Sequence, residues 1–233
     1  MTYDIIDFIA IFLAIIIAMP LHEFAHAFIA VKCGDYTPKA HGRLTLNPMA
    51  HFDILGLIML AVARFGWAKP VPINPYNFKH LRRDYFFVSI AGVVANYLLA
   101  FVAYPLFLLS MIGSQFIVGA PLFGTLAYEL LETTLFYTFS LCINLFVFNL
   151  IPVYPLDGFR VVEVIAKRPN KFVNFLKKYG YYILLVLILI DVLAERIFIL
   201  QYINLFGFLM TTLTGLVGFP IQLFWNFIFG LFK

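Results

Sequence analysis

Hydrophobic residues fill long, nearly unbroken blocks at about residues 5–31, 54–63, 85–112, 122–151, 181–200 and 202–231. The longest match or exceed the roughly 20 apolar residues that a helix needs to cross a bilayer. The block at 54–63 is too short for a standard span, and the last two are almost continuous. The pattern therefore predicts four to six transmembrane helices and an all-α polytopic membrane protein. Between the first and next core helices, Ala40–Leu46 alternates as a strand does, and Val71–Phe78, with Pro72 and Pro75, reads as extended. A short extended or strand-containing segment is therefore expected there. No internal repeat, low-complexity tract or large hydrophilic insertion divides the chain.

Composition strengthens this picture. Hydrophobic residues make up 63% of the 233 and charged ones only 12%, against about 25% charged in soluble domains. The start, MTYDIID, has two acids and no Lys or Arg, unlike the basic n-region of a secretory signal, so residue 1 onward is expected to be mature protein. Cys33 and Cys142 have no CxxC spacing and read as free thiols.

The net charge of +4 gives no nucleic-acid signal, because the basic residues are sorted by loop. Lys32, Lys39, Arg43, Arg64, Lys69, Lys79, Arg82 and Arg83 face only Asp35, Asp53 and Asp84 between residues 32 and 84. The connection at 113–121 has no charge, and the next carries Arg160, Lys167, Arg168, Lys171, Lys177 and Lys178. The positive-inside rule places both basic loops in the cytoplasm and the N-terminus outside a cell membrane. Residues 170–179 also put Phe172, Phe175, Leu176 and Tyr179 on one face among lysines, as an interfacial helix would. Asp191, Glu195 and Arg196 interrupt the 181–200 block, and no partner for Asp191 is visible in the sequence.

The first block contains Pro20-Leu21-His22-Glu23-Phe24-Ala25-His26, an HExxH. On a helix, His22 and His26 lie one turn apart on one face, so both imidazoles can hold a metal ion with Glu23 beside it. Ionisable groups within a span are costly, and coordination of zinc supplies a reason for three polar residues in five. A catalytic zinc takes three protein ligands and keeps a position for water. No His follows at metzincin spacing, and no Glu occurs between Glu23 and Glu129. The third ligand is therefore distant. The leading candidate is Asp157 in NLIPVYPLDG (149–158), at the cytoplasmic end of an apolar block; an ordinary turn aspartate before Gly158 is the plainer reading.

HEFAH (22–26) together with NLIPVYPLDG resembles the site-2 protease family of intramembrane zinc metalloproteases. NPMAHFDILG (47–56), GWAKPVPINPYNF (66–78) and AGVVAN (91–96) are similar to its compact microbial branch without a PDZ domain. Ile54 stands where that family often has a proline. The resemblance spans about residues 10–165 and implies one zinc ion per chain on His22, His26 and Asp157, with Glu23 as catalytic base. It also implies hydrolysis of peptide bonds within or near transmembrane segments of a protein or peptide substrate. Asn96, Asn149 and His51 match positions expected to bind substrate or order the site, although the asparagines also suit interhelical hydrogen bonding. On this basis residues 1–165 form an intramembrane metalloprotease core. Residues 166–233 form a basic interfacial linker and C-terminal membrane helices. The expected partners are the substrate and the lipid bilayer, with homo-oligomers possible and no nucleic acid.

Two other functions fit parts of the sequence. A metal-ion or proton transporter would also place His, Asp and Asn within helices, but along a path across the bilayer. A catalytically inactive scaffold would have no use for Glu23.

Overall fold

The computed structural model describes residues 2–56, 66, 68–114, 122–166, 170–194, 197 and 204–231. The described helices are α1 (Thr2–Lys32), α2 (Thr37–Ala40), α3 (Pro48–His51), α4 (Leu81–Ser114), α5 (Leu122–Leu150), α6 (Asp157–Ile165), α7 (Lys171–Ala194) and α8 (Leu205–Gly230), with a 3-10 turn at Pro75–Asn77. Among the described residues, four helical stretches are long and apolar enough to span a membrane: Ile5–Lys32, Leu81–Ser114, Gly124–Leu150 and Leu205–Gly230. The chain is an all-α polytopic membrane protein. The short block at 54–63 lies mostly outside the described residues.

Small residues allow α1, α4 and α5 to pack closely. Ala10, Ala14 and Ala18 recur every fourth position on α1 and are fully buried, and Ala100 and Ala103, one turn apart on α4, are buried as well. In lipid, where apolar side chains gain little by leaving their solvent, such close approach is what holds helices together. Ala18, Ala100, Ala103, Tyr104, Phe139, Cys142 and Ile143 form one cluster, and Ile221 of α8 completes it. Polar ties add direction. Tyr137 Oη donates to Asp7 Oδ1 at 3.1 Å, Tyr104 Oη to Asn226 Oδ1 at 3.2 Å, and Trp225 Nε1 to the Phe101 carbonyl at 2.9 Å.

Residues 40–46 do not pair as a strand. Pro38 opens the one-turn helix α2, which runs into Ala40. The buried Arg43 then turns back to donate to the carbonyls of Ala50 and Lys69. A guanidinium that serves two carbonyls of a neighbouring segment outweighs the local alternation. Among the described residues there is no strand, and the isolated bridge pairs Phe52 with Ala68. Beyond it, residues 69–74 run without regular structure to the 3-10 turn, and Asn74 is extended.

Asp35, at the end of α1, fixes that segment. Its fully buried carboxylate accepts from the Asn74 amide at 2.7 Å, Asn77 Nδ2 at 2.9 Å, and both the amide and hydroxyl of Thr37. On its protein side, α7 packs against α6. Val173 and Leu176 pack on Phe159 of α6, leaving Phe172, Phe175 and Tyr179 exposed. Asp191 has a partner after all, since Asn204 Nδ2 donates to its Oδ1 at 2.7 Å.

Candidate metal centre

Helical periodicity brings His22 and His26 onto one face of α1, turned towards α4 and the start of α6. Asp157 is the first residue of α6, after the loop that follows α5. Gly158 makes that placement possible, because any Cβ there would overlap the carbonyls of Leu150 and Ile151. The start of α6 is thereby pressed against the end of α5, and the carboxylate points at the two imidazoles.

Three ligand-type atoms converge. His26 Nε2 lies 3.0 Å from Asp157 Oδ2 and 3.1 Å from His22 Nε2, and His22 Nε2 lies 3.3 Å from Asp157 Oδ2. All three residues are buried, and among the described residues this is the group of His, Cys, Asp and Glu close enough to share a metal ion. His26 Nδ1 donates to the Val88 carbonyl at 2.6 Å. A neutral His26 therefore has a bare Nε2 facing the carboxylate, which suits a cation held between them. Burial raises the Asp157 carboxyl, but with no metal bound a protonated His26 and hydrogen bonds from both imidazoles outweigh it and hold the group below the usual carboxylate range.

Glu23 points into the same cleft, which is lined also by Pro70, Val71, Ile73, Asn149, Pro155 and Arg160. Its Oε2 accepts from the Val71 amide at 3.1 Å. Arg160 approaches the outer oxygen of Asp157, Oδ1, at 3.6 Å. Asn149 lines the cleft, with its Nδ2 donating to the Leu145 carbonyl one turn back at 3.0 Å. Asn96 is fully buried and its Nδ2 lies 3.0 Å from His22 Nδ1. His51 is not among the cleft residues. Its Nε2 bonds the Thr45 carbonyl at 2.8 Å and its own carbonyl accepts from the Lys69 amide at 2.8 Å, so it steadies the loop.

Sequence reasoning did not find Val71, Arg160 or Val88 as parts of this site. Arg160 carried a signal, being one turn after Asp157; Val71 and Val88 act through backbone groups, for which side-chain patterns hold no mark.

Residues 8–190 match the family described as Peptidase family M50. The chain belongs to peptidase family M50. It is 39% identical over 180 residues to the Bacillus subtilis protein named "Putative zinc metalloprotease YwhC", covering 75% of this chain and 78% of that one. It is 28% identical over 206 residues to "Putative zinc metalloprotease Rip2" of Mycolicibacterium smegmatis, covering 84% and 74% respectively. A Mycobacterium tuberculosis protein of the same name is 30% identical over 162 residues, covering 67% of this chain and 57% of its own length. No solved structure gives a significant match to the chain.

Proposed function

We propose that the chain is an intramembrane zinc endopeptidase of the site-2 type, which hydrolyses peptide bonds within or near transmembrane segments of membrane-protein substrates. The observation that carries this reading is the convergence of His22 Nε2, His26 Nε2 and Asp157 Oδ2 within 3.3 Å, with Glu23 in the same cleft. Two imidazole nitrogens and one carboxylate form a three-ligand set typical of catalytic zinc. When bound there, zinc supplies Lewis acidity and lowers the pKa of a water to about 7. The relatives' names accord with this donor set.

Glu23 takes a proton from the attacking water as the new C–O bond forms, and returns it to the amine as the C–N bond breaks. The Val71 amide fixes the orientation of its carboxylate. Asn149 spends its Nδ2 on Leu145, so its Oδ1 is the group that can accept from the backbone of an unwound substrate. Such partners matter in lipid, where an opened helix has no water to satisfy its amides.

The basic loops on both sides of the site support a placement towards the cytoplasm, with the N-terminus outside. The ends of α1 and α5 and the first half of α4 all contribute to it, so they lie on one side of the membrane. A transporter would distribute its polar groups along a path, whereas the described ligands gather at one depth.

The test is zinc content and cleavage of a panel of single-span substrates by the purified protein and by Glu23→Gln. Zinc in both, with cleavage by the parent alone, is expected. A zinc-loaded parent that cleaves none of them counts against the reading.

A further inference from the structure

One face of α4 carries Val88, Gly92 and Asn96, spaced by four residues and therefore stacked along the helix. All three meet the imidazoles of α1. Val88 presents its carbonyl to His26 Nδ1. Gly92 lies flat beneath both rings, where any Cβ would overlap His26 Nε2 and His22 Nε2. Asn96 reaches His22 Nδ1 at 3.0 Å. The two rings thus rest on a common seat, each touched at Nδ1 by a group from α4.

The seat has one unbalanced member. Asn96 is fully buried, and no donor reaches its Oδ1. The two orientations of its amide exchange Oδ1 and Nδ2 and keep the same contact with His22. With Nδ2 towards the ring, His22 Nδ1 must accept, its proton sits on Nε2, and that nitrogen has no lone pair for a metal. With Oδ1 towards the ring, His22 Nδ1 donates, Nε2 is bare, and the amide NH2 takes the place that Oδ1 leaves. His26 already has this arrangement, with Val88 as acceptor.

We infer that Asn96 is a positioning residue that presents Oδ1 to His22 Nδ1–H and so fixes the ring in the tautomer whose Nε2 can bind metal. This rests on the zinc reading above, and adds to it the device that prepares one ligand. α4 contributes no metal ligand, yet it sets the protonation of both histidines: by a backbone carbonyl at His26, which mutation cannot remove, and by a side chain at His22, which it can.

The experiment measures zinc affinity by chelator competition in the purified full chain and in Asn96→Leu, Asn96→Asp and Asn96→Gln. Nitrogen-15 spectra of the histidine rings are recorded on the zinc-free parent at a pH where the imidazoles are neutral. Loss of an outer partner of a metal-bound histidine weakens metal binding about 10- to 100-fold. That loss is expected in Asn96→Leu, which keeps the volume without an acceptor. Asn96→Asp, which keeps the acceptor, should stay within a few-fold of the parent. In the parent, His22 should carry its proton on Nδ1 whether or not the leucine variant folds. A proton on Nε2, or a folded Asn96→Leu with parental zinc affinity, overturns the inference. Equal losses in Asp and Leu variants also overturn it, since simple packing would give that result. A parent that binds no zinc defeats the functional reading and this inference together. A parent that binds zinc and shows the expected tautomer without it, but has no peptidase activity, defeats only the former.

Discussion

The Val71 amide and the Glu23 carboxylate lie 3.1 Å apart, joining a loop to the first membrane helix across 48 residues of sequence. Val71 stands between Pro70 and Pro72, neither of which has an N–H. It is the sole backbone donor that this three-residue stretch can offer, and it is spent on the residue proposed as general base.

Replacing that donor without disturbing the side-chain pocket tests its importance. Residue 71 precedes a proline and is biased to the β and polyproline region, which a proline can also occupy, so Val71→Pro removes the amide within an extended segment. A hydrogen bond to a charged group is worth about 1.5–3 kcal/mol, which predicts a fall in kcat of roughly 10- to 100-fold. Zinc content should not change, and Val71→Ala should cleave like the parent.

The Asp35 carboxylate predicts an acid sensitivity. Burial would raise its pKa, but the hydrogen bonds from Thr37, Asn74 and Asn77 win and hold it below the usual carboxylate value. A group depressed in the folded state adds stability above its unfolded pKa of about 3.9 and loses it as pH falls through the folded value. The thermal midpoint of the parent should therefore drop below about pH 4 more steeply than that of Asp35→Asn. At neutral pH, Asp35→Ala strands buried donors and should cost about 3 kcal/mol or more.

Gly92→Ala places a methyl group against both imidazoles. The rings must move apart or α4 must shift, and overpacking of this kind costs about 1–3 kcal/mol. The expected result is a folded protein with zinc affinity reduced at least tenfold. Equilibrium dialysis with a metal indicator would measure it, and parental affinity would contradict the seat described for α4.

Zinc should also stabilise the fold. A ligand that binds only the folded state adds about 2.7 kcal/mol when its free concentration is 100 times its Kd. Removing metal with a chelator should lower the thermal midpoint of the parent, and added zinc should restore it. Asp157→Ala should show little response to either treatment.

The parts of this molecule legible in its sequence are those governed by a period or a side. His22 and His26 could be paired because a helix repeats every 3.6 residues, and Asp157 could join them because the charge of the loops put both ends on one side. Asp35 gave no such sign: its partners Asn74 and Asn77 are 39 and 42 residues away, and ordinary loop residues all look alike at that distance. Arg43 shows the same limit, since two carbonyls that accept from it leave no trace in residue type, and the alternation of Ala40–Leu46 suggested a strand. On α7 the choice between Phe172 and Val173 for the buried face depends on Phe159, which belongs to a different helix. Asn96 was legible as a polar residue in an apolar span, but not as a neighbour of His22, because the rotation of α4 against α1 is set by packing.

Because Asp157 opens α6 and lies 131 residues after His26, a ribosome delivers the metal cage in instalments. The histidines enter the bilayer first, and the cage can close only after α4 and α5 have been made and the chain has turned back through the loop at 151–156. During that interval a nascent chain has Glu23 and two imidazoles but not the third member of the group. The completeness of the centre is thus tied to the completeness of the helices that carry it.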